Sequence, residues 1–417
     1  MNEQNSAIIS EFGLIGSNES VLTANKFLSA YVEDKFYKEL ESFAKTNTGK
    51  DILQFTHNGK YLQAKSYVGI IRTSNGCILE IVPKTSKEES VNDSKQVFMK
   101  LLQLLYKLPN YKNIDSANFE RLSDINIFEI FIIMFLDEVG LIIKKGIKSD
   151  YIDTQDNLFY LKGKLLMNEQ IKRNSVHKER FFVEYDDYNQ NRAENRLIKS
   201  TLHLLFNISR DFKNQKRIRQ YLEHLNWVEK SQSIDNDIRQ IKMGRGMNHY
   251  NNALIWAKVF LKKESFSSFS GDTIAFAILY PMEKLWECFV EWYLNKQYQS
   301  FIIESQSSGM VFVKNLFGVR PDFLIKKNNK VLCVADAKWK LINQESDFSQ
   351  SDFYQLFTYK HIFFGTSSLE DFGETNLRIY YPKTTEYLDE EKEFNFFNNN
   401  GIISIIPLDI KQELIKS

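Results

Sequence analysis

The chain is 417 residues long, 43% apolar and 14% aromatic, with 6 Pro and 17 Gly, which excludes long disordered linkers and predicts two or three domains rather than one core. Three scattered cysteines, Cys77, Cys288 and Cys333, show no C-x-x-C spacing; they exclude a disulfide frame or a zinc site and suit reduced, buried thiols in a cytoplasmic protein. The formal charge is only +1, yet residues 1–265 hold 39 Lys and Arg against 33 Asp and Glu (+6), and residues 266–417 hold 15 against 20 (−5).

The first ten residues are polar and lack a basic segment, so no signal peptide is expected. Residues 21–84 read as β-rich with one helix. Within them, 29–44 is a charged amphipathic stretch with Ser29 as its candidate N-cap. Residues 63–83 read as two strands turning at Ser74-Asn75-Gly76, because Asn-Gly between alternating apolar runs suits a tight hairpin. The pattern turns helical from 91 to 147, chiefly over 97–108 and 123–145. Glu129, Asp137 and Glu138 interrupt the apolar run 125–143, which therefore predicts a core helix and no membrane span. A second extended unit covers 151–185. Its basic cluster, Lys172, Arg173, Lys178 and Arg180, is the best candidate for a patch that meets DNA or a partner, with a solvated charged loop as the competing reading. Helices resume over 194–206, 216–225 and 250–263, and the Ser/Phe/Gly-rich segment 265–271 marks a boundary.

Residues 318–340 read as strand, polar turn, strand, and they bring reactive side chains together. Alternation along a strand puts Asp336 and Lys338 on one face, with Ala337 turned into the packing. Asp322 joins them only if the turn holds an odd number of residues or a bulge shifts the register. A three-residue loop of Lys327, Asn328 and Asn329 would set Asp322 opposite Val334, on the required face. Two clustered carboxylates repel and tend to hold a proton between them unless a cation sits there. Hard oxygen ligands with room for water suit Mg²⁺.

Two amphipathic helices flank this hairpin. Residues 280–296 place Met282, Leu285, Trp286, Phe289, Val290 and Tyr293 on one stripe bordered by Glu283, Glu287 and Glu291. Glu287, central in that row, is the candidate third carboxylate, against the plainer reading of a wet helix face. Residues 351–364 carry Gln355 and Tyr359 one turn apart, able to bond a phosphate or an attacking water, or else to form a surface amide over a half-buried ring. Other patterns mislead: Asp371-Phe372-Gly373 has no kinase companions, Thr48-Gly49-Lys50 is no P-loop, and the histidines lack metal-site spacing.

Pro-Asp, thirteen intervening residues and Asp-x-Lys resemble the PD-(D/E)xK nuclease motif, and the Gln-x-x-x-Tyr helix resembles its RecB-like branch. The resemblance implies that Asp322 and Asp336 bind one or two Mg²⁺ ions, with the Ala337 carbonyl and Glu287 as further ligands. Lys338 then orients or deprotonates the attacking water, and Gln355 and Tyr359 position it or the strand. A longer resemblance covers residues 60–360: YVGIIRTSNGCILEIVPK (67–84), LKGKLLMNEQIKRN (161–174), FFVEYDDYNQNRAENRLIKSTL (181–202), MEKLWECFVEWYL (282–294), RPDF, DAKWK and DFYQLFTY. This pattern is similar to McrC-type subunits of McrBC restriction systems.

That likeness implies an α+β multidomain chain. Its expected parts are a β-rich, partner-docking region (1–115), a mainly helical middle with a hairpin and basic patch (116–265), and an α/β PD-(D/E)xK endonuclease domain (266–417) whose central mixed sheet is flanked by helices. It also implies a cytoplasmic DNA endonuclease of phage defence that stimulates an AAA+ GTPase ring, with pairing of nuclease domains to cut both strands. The net charge of −5 beyond residue 265 agrees, since DNA is held mainly by neutralising its phosphates and another part must then grip it. The competing classes are a stand-alone RecB-like repair nuclease and a non-catalytic activator of a ring.

Overall fold

The structure, a computed structural model, describes residues 6–17, 28–84, 91–106, 127–261, 274–306, 310–313, 317–364, 377–384, 386–395 and 402–415. The segment 265–271, the start of the helix expected at 123 and the Asp371-Phe372-Gly373 tripeptide lie outside them. The chain forms two compact units, one of Met1–Asp124 with Ser265–Ser417 and one of Ile125–Glu264.

In the first unit, Ser29–Tyr31, Leu14–Gly16, Tyr61–Ala64 and Leu53–Thr56 form a four-stranded sheet in that order. Helix Asp34–Ala44 buries Phe36, Leu40 and Phe43, spaced at about one helical turn, against Ile15, Leu62 and Leu79. The helix expected from residue 29 therefore begins later. Ser29 is a buried strand residue pairing with Leu14, and Glu33, in extended conformation, occupies the N-cap position without a side-chain cap. The reason is the parallel pairing of Ser29–Tyr31 with Leu14–Gly16, whose ladder overrides the local helical pattern.

A second four-stranded sheet runs Ser6–Ser10, Ile78–Val82, Tyr67–Thr73, Ile274–Pro281. Its central pair is the expected hairpin at Ser74-Asn75-Gly76, where Gly76 has φ +84°. The fourth strand comes from beyond residue 265 and pairs antiparallel with Tyr67–Thr73, so the first and third sequence regions build one unit. Gly69 makes that pairing possible. It sits at φ +139°, and a Cβ there would lie 2.1 Å from the Ile278 carbonyl oxygen.

The C-terminal part of this unit is a six-stranded sheet in the order Ile302–Ser305, Phe323–Lys327, Lys330–Ala337, Leu377–Pro382, Ile402–Leu408, Lys392–Asn395. Lys330–Ala337, Leu377–Pro382 and Ile402–Leu408 run parallel and the other pairings are antiparallel, giving the expected mixed sheet. Helices Met282–Gln297 and Gln350–Phe364 flank it. Leu356 and Tyr359 of the latter pack with Leu324, Val334, Ile379 and Ile405.

The second unit packs helices Ile127–Lys145, Ala193–Ile208, Phe212–His224 and Asn251–Leu261 beside a sheet of Asp150–Leu158, Phe181–Asn189 and Lys164–Leu165. The extended unit expected over 151–185 is interrupted by helix Met167–Asn174. Gln170 of that helix fills a local demand: its amide donates to Arg180 O at 2.7 Å and its Oε1 accepts from Phe182 N. Buried Glu129 accepts from Ser209 Oγ, Arg210 N and Asn214 Nδ2, which explains a carboxylate inside an apolar helix. Among the described residues, no helix is long and apolar enough to cross a membrane.

Gly69→Ala is expected to destabilise the first unit by about 3 kcal/mol or more, through a backbone clash added to a left-handed φ. A denaturant titration checks it; a midpoint equal to wild type would show that the two strands part without cost.

Candidate active site

The hairpin reaches the required register by a different route from the one expected. Its turn is two residues, Asn328 and Asn329, at φ +51° and +63°, with Lys327 opposite Lys330. Asn tolerates that left-handed geometry, and paired positive φ values suit the twist of a tight hairpin. A bulge then follows: Lys326 pairs with Val331 and Ile325 with Cys333, leaving Leu332 as the extra residue. Leu324 and Phe323 next face Val334 and Ala335, so continuing the ladder sets Asp322 opposite Asp336 rather than Val334. Asp322 Oδ2 accepts from Ala337 N at 2.8 Å, which fixes the carboxyl group across the strand.

The electrostatics follow from this crossing. Burial pushes the Asp322 carboxyl up to about 7, and repulsion from Asp336 adds to it, while Ala337 N–H and Lys338 oppose it. Asp336 is 1% exposed. Its Oδ2 pairs with Lys338 Nζ at 2.5 Å, but its buried Oδ1 receives no hydrogen bond. Lys338 is raised above the usual lysine range: burial pulls it down, and Asp336 and Asp322 more than offset that. It is therefore an ammonium at neutral pH, also donating to Gln355 Oε1 at 3.1 Å.

The flanking helices supply the next links. Gln355 Nε2 donates to Tyr359 Oη at 2.6 Å, and Tyr359 Oη donates to Arg320 O at 3.2 Å. Burial raises the Tyr359 phenol to about 12, so it stays neutral and anchors the chain just before Asp322. Glu287 does not join the pair, since among the described residues no three His, Cys, Asp or Glu side chains come together as an ion site. Its Oε2 instead accepts from Gln306 Nε2 at 2.8 Å and Lys284 Nζ at 3.0 Å. Gln306 also donates its backbone N–H to Asp322 O at 2.8 Å, so Glu287 borders the site through one intermediate.

The residues fit a divalent cation. A buried carboxylate oxygen that no other group donates to, beside a second carboxyl that burial and Asp336 push up to about 7, is the chemistry that a hard cation relieves. Asp322 and Asp336 are the oxygen donors that the structure brings together.

Sequence reasoning missed three supports. Gln306 carries no motif signal, because its role depends on sheet order. Buried Asp352 accepts from Lys340 at 2.7 Å and Tyr381 at 3.0 Å, bracing the segment after Lys338. Buried Glu11 accepts from Trp339 Nε1 at 2.9 Å and from Lys84 N at 3.0 Å. The Trp339 ring lies 5.4 Å from that of Trp286 on the glutamate-bearing helix.

The basic patch is weaker as an anion site than its sequence suggests. Lys172 and Arg173 share Glu169, at 3.8 and 2.7 Å. Arg173 and Arg180 lie over the rings of Phe182 and Phe159, and Lys178 is exposed.

A mixed sheet that presents Asp322, Asp336 and Lys338 from a bulged hairpin between two helices has the architecture of the PD-(D/E)xK α/β class. The chain belongs to the McrBC family: the family model described as McrBC 5-methylcytosine restriction system component matches residues 62–367. Among solved structures, it resembles a chain of the refined half-complex from the tetradecameric assembly of Thermococcus gammatolerans McrB AAA+ hexamers with bound McrC. There the TM-score is 0.66 at 18% identity, over 97% of this chain and 94% of that one. A second likeness, to the cryo-EM structure of the T. gammatolerans McrBC complex, has TM-score 0.49 and 17% identity over 69% of this chain and 87% of that one. No curated protein sequence matches the chain.

Burial pushes the Glu11 carboxyl up to about 8 from 4.5, against the pull of Lys84 N–H and Trp339. The folded state thus binds a proton that the unfolded chain has released, so this stabilisation is full below about pH 4.5 and is lost as pH rises through about 8. Denaturation midpoints are expected to fall from about pH 4.5 to about 8, and to fall less in Glu11→Gln. An equal decline in both proteins would place the pH sensitivity elsewhere.

Proposed function

We propose that the chain is the Mg²⁺-dependent DNA endonuclease subunit of a McrBC-like restriction system in phage defence, cutting DNA together with an AAA+ GTPase whose hydrolysis it stimulates. The observation that supports the nuclease reading is the pair of half-buried Asp322 and buried Asp336, with Asp336 Oδ1 lacking a hydrogen-bond partner among the described residues and Lys338 beside it. Membership of the McrBC family and the likeness to a chain from McrB hexamers with bound McrC support the ring-forming partner. A stand-alone RecB-like nuclease accounts for the same catalytic residues but not for the family match over residues 62–367.

The exposed apolar residues of the second unit also suit a partner. Phe159, Tyr160, Leu161, Met167, Ile171 and Val176 are each at least 58% exposed, and such surface is costly unless something covers it. This surface is a second candidate for docking beside the one expected in residues 1–115.

In the proposed reaction, Asp322 and Asp336 hold the cation with the Ala337 carbonyl. When bound, Mg²⁺ supplies Lewis-acid stabilisation of phosphoryl charge and a more acidic water. Lys338, fixed by Asp336 and Gln355, presents an ammonium that stabilises the negative charge developing on the phosphate and orients the attacking water. Gln355, itself held by Tyr359, keeps the ammonium from turning away. Glu287 acts on the Asp322 segment through Gln306. With one such site per chain, two nuclease domains pair to cut both strands.

Asp336→Ala and Lys338→Ala are each expected to lower cleavage by about 100-fold or more, while binding of the partner and its stimulated GTP hydrolysis persist. Normal cutting by both variants in the reconstituted complex would refute the site. Gln355→Ala and Glu287→Ala should give partial losses, read as cleavage rate across a Mg²⁺ titration. Rates matching wild type at every concentration would reduce both residues to structural roles.

A further inference from the structure

Arg320 stands two residues before Asp322 and is exposed. Its Nε donates to Gln306 O at 3.3 Å and its Nη2 to Gln306 Oε1 at 2.7 Å. Gln306 is a rigid support for that fork. It sits at φ +50°, its N–H bonds Asp322 O, and its side-chain amide bonds Glu287. The Arg320 carbonyl is pinned in turn by Tyr359 Oη. The guanidinium is therefore held by Gln306 at the sheet edge, and the backbone that carries it, two residues before Asp322, by Tyr359 of the Gln350–Phe364 helix.

Among the described residues, four neighbouring lysines are paired with carboxylates. Lys284 pairs with Glu287 at 3.0 Å, Lys338 with Asp336 at 2.5 Å, Lys340 with Asp352 at 2.7 Å, and Lys326 with Glu304. Arg320 differs, because its partners are neutral amide oxygens and among the described residues no carboxylate pairs with it. Its Nη1 hydrogens and one on Nη2 stay available, in the planar geometry that matches two phosphate oxygens.

We propose that Arg320 grips a backbone phosphate of the DNA strand beside the bond to be cut, with Gln306 as the residue that aims it. The proposal rests on the nuclease reading and adds the group that registers the strand over the carboxylate pair. Neutral amide anchors suit this role: they fix direction without quenching the charge, as a carboxylate would. They also answer how a region of net −5 tolerates a polyanion at its own site.

The test uses the full chain and a short DNA duplex, in Ca²⁺ to hold off cleavage, with affinity measured by anisotropy between about 50 and 200 mM salt. Arg320→Ala is expected to weaken binding roughly tenfold and to lower the salt slope by about 1. Arg320→Gln, which keeps a donor toward Gln306, should show the same loss if the alanine variant folds poorly. Arg320→Lys keeps the charge, so its slope stays near wild type, while single-turnover cleavage in Mg²⁺ with the partner falls for want of the fork. Wild-type binding with an unchanged slope in the folded Ala or Gln variant overturns the assignment of Arg320 alone. A wild-type chain that neither binds the duplex in the presence of its partner nor cuts it in Mg²⁺ overturns the nuclease reading and this inference with it.

Discussion

Two carboxylates crossing a strand pair inside protein, with a single ammonium to balance them, leave the site one positive charge short. Asp336 and Lys338 form the balanced half, at 2.5 Å. Asp322 is the remainder, and its carboxyl is pushed up to about 7 because burial and the neighbouring Asp336 penalise a second negative charge. Such an arrangement is costly for folding alone, since replacing buried ionic groups by apolar ones is often neutral or stabilising. The shortfall can be met by a proton or by a cation, and only the cation leaves both carboxylates available as ligands. The surrounding contacts serve to hold this imbalance in place: Ala337 N–H on Asp322, Gln355 on Lys338, Tyr359 on the Arg320 carbonyl.

How much of this the sequence disclosed depended on the range of the forces involved. The order of Pro-Asp, Asp-x-Lys and Gln-x-x-x-Tyr named the residues, and alternation correctly put Asp336 and Lys338 on one face. The demand that a bulge or an odd loop bring Asp322 across was also legible, because it follows from the pleat alone. Which of the two occurs was not, since Asn328 and Asn329 fit either turn and nothing local marks Leu332 as the extra residue. Glu287 shows the limit of helical periodicity: spacing put it on the correct helix, but only the position of Gln306 in a neighbouring strand end decides what its carboxylate meets. Likewise Ser29 looked like a helix cap until its pairing with Leu14 was known, a contact between segments that no short window contains.

The division of the chain has the same origin. The sequence reads as three successive regions, and the chain forms two units, Met1–Asp124 with Ser265–Ser417 and Ile125–Glu264. The first and last regions nevertheless share a sheet, because Ile274–Pro281 pairs with Tyr67–Thr73. The middle unit is thus an insertion between two halves of one body, an organisation that linear reading cannot separate from a string of domains.

This insertion bears on how the proposed site could be controlled. The strand Ile274–Pro281 runs directly into the Met282–Gln297 helix, and that helix carries both Trp286, against Trp339, and Glu287, against Gln306. Trp339 is one residue beyond Lys338 and donates to Glu11 from the first strand region. The N-terminal sheet therefore meets the site at two points, through the root of the glutamate-bearing helix and through the residue following the lysine. A fragment cut out at residue 266 would lose Glu11 and the partner strand of Ile274–Pro281 together. It would leave a buried indole N–H without its acceptor and a sheet edge unpaired, each of which costs free energy. The geometry of the proposed site is a property of the discontinuous unit as a whole, and the N-terminal region reaches it through the Glu11–Trp339 hydrogen bond, one residue from Lys338, rather than across a linker.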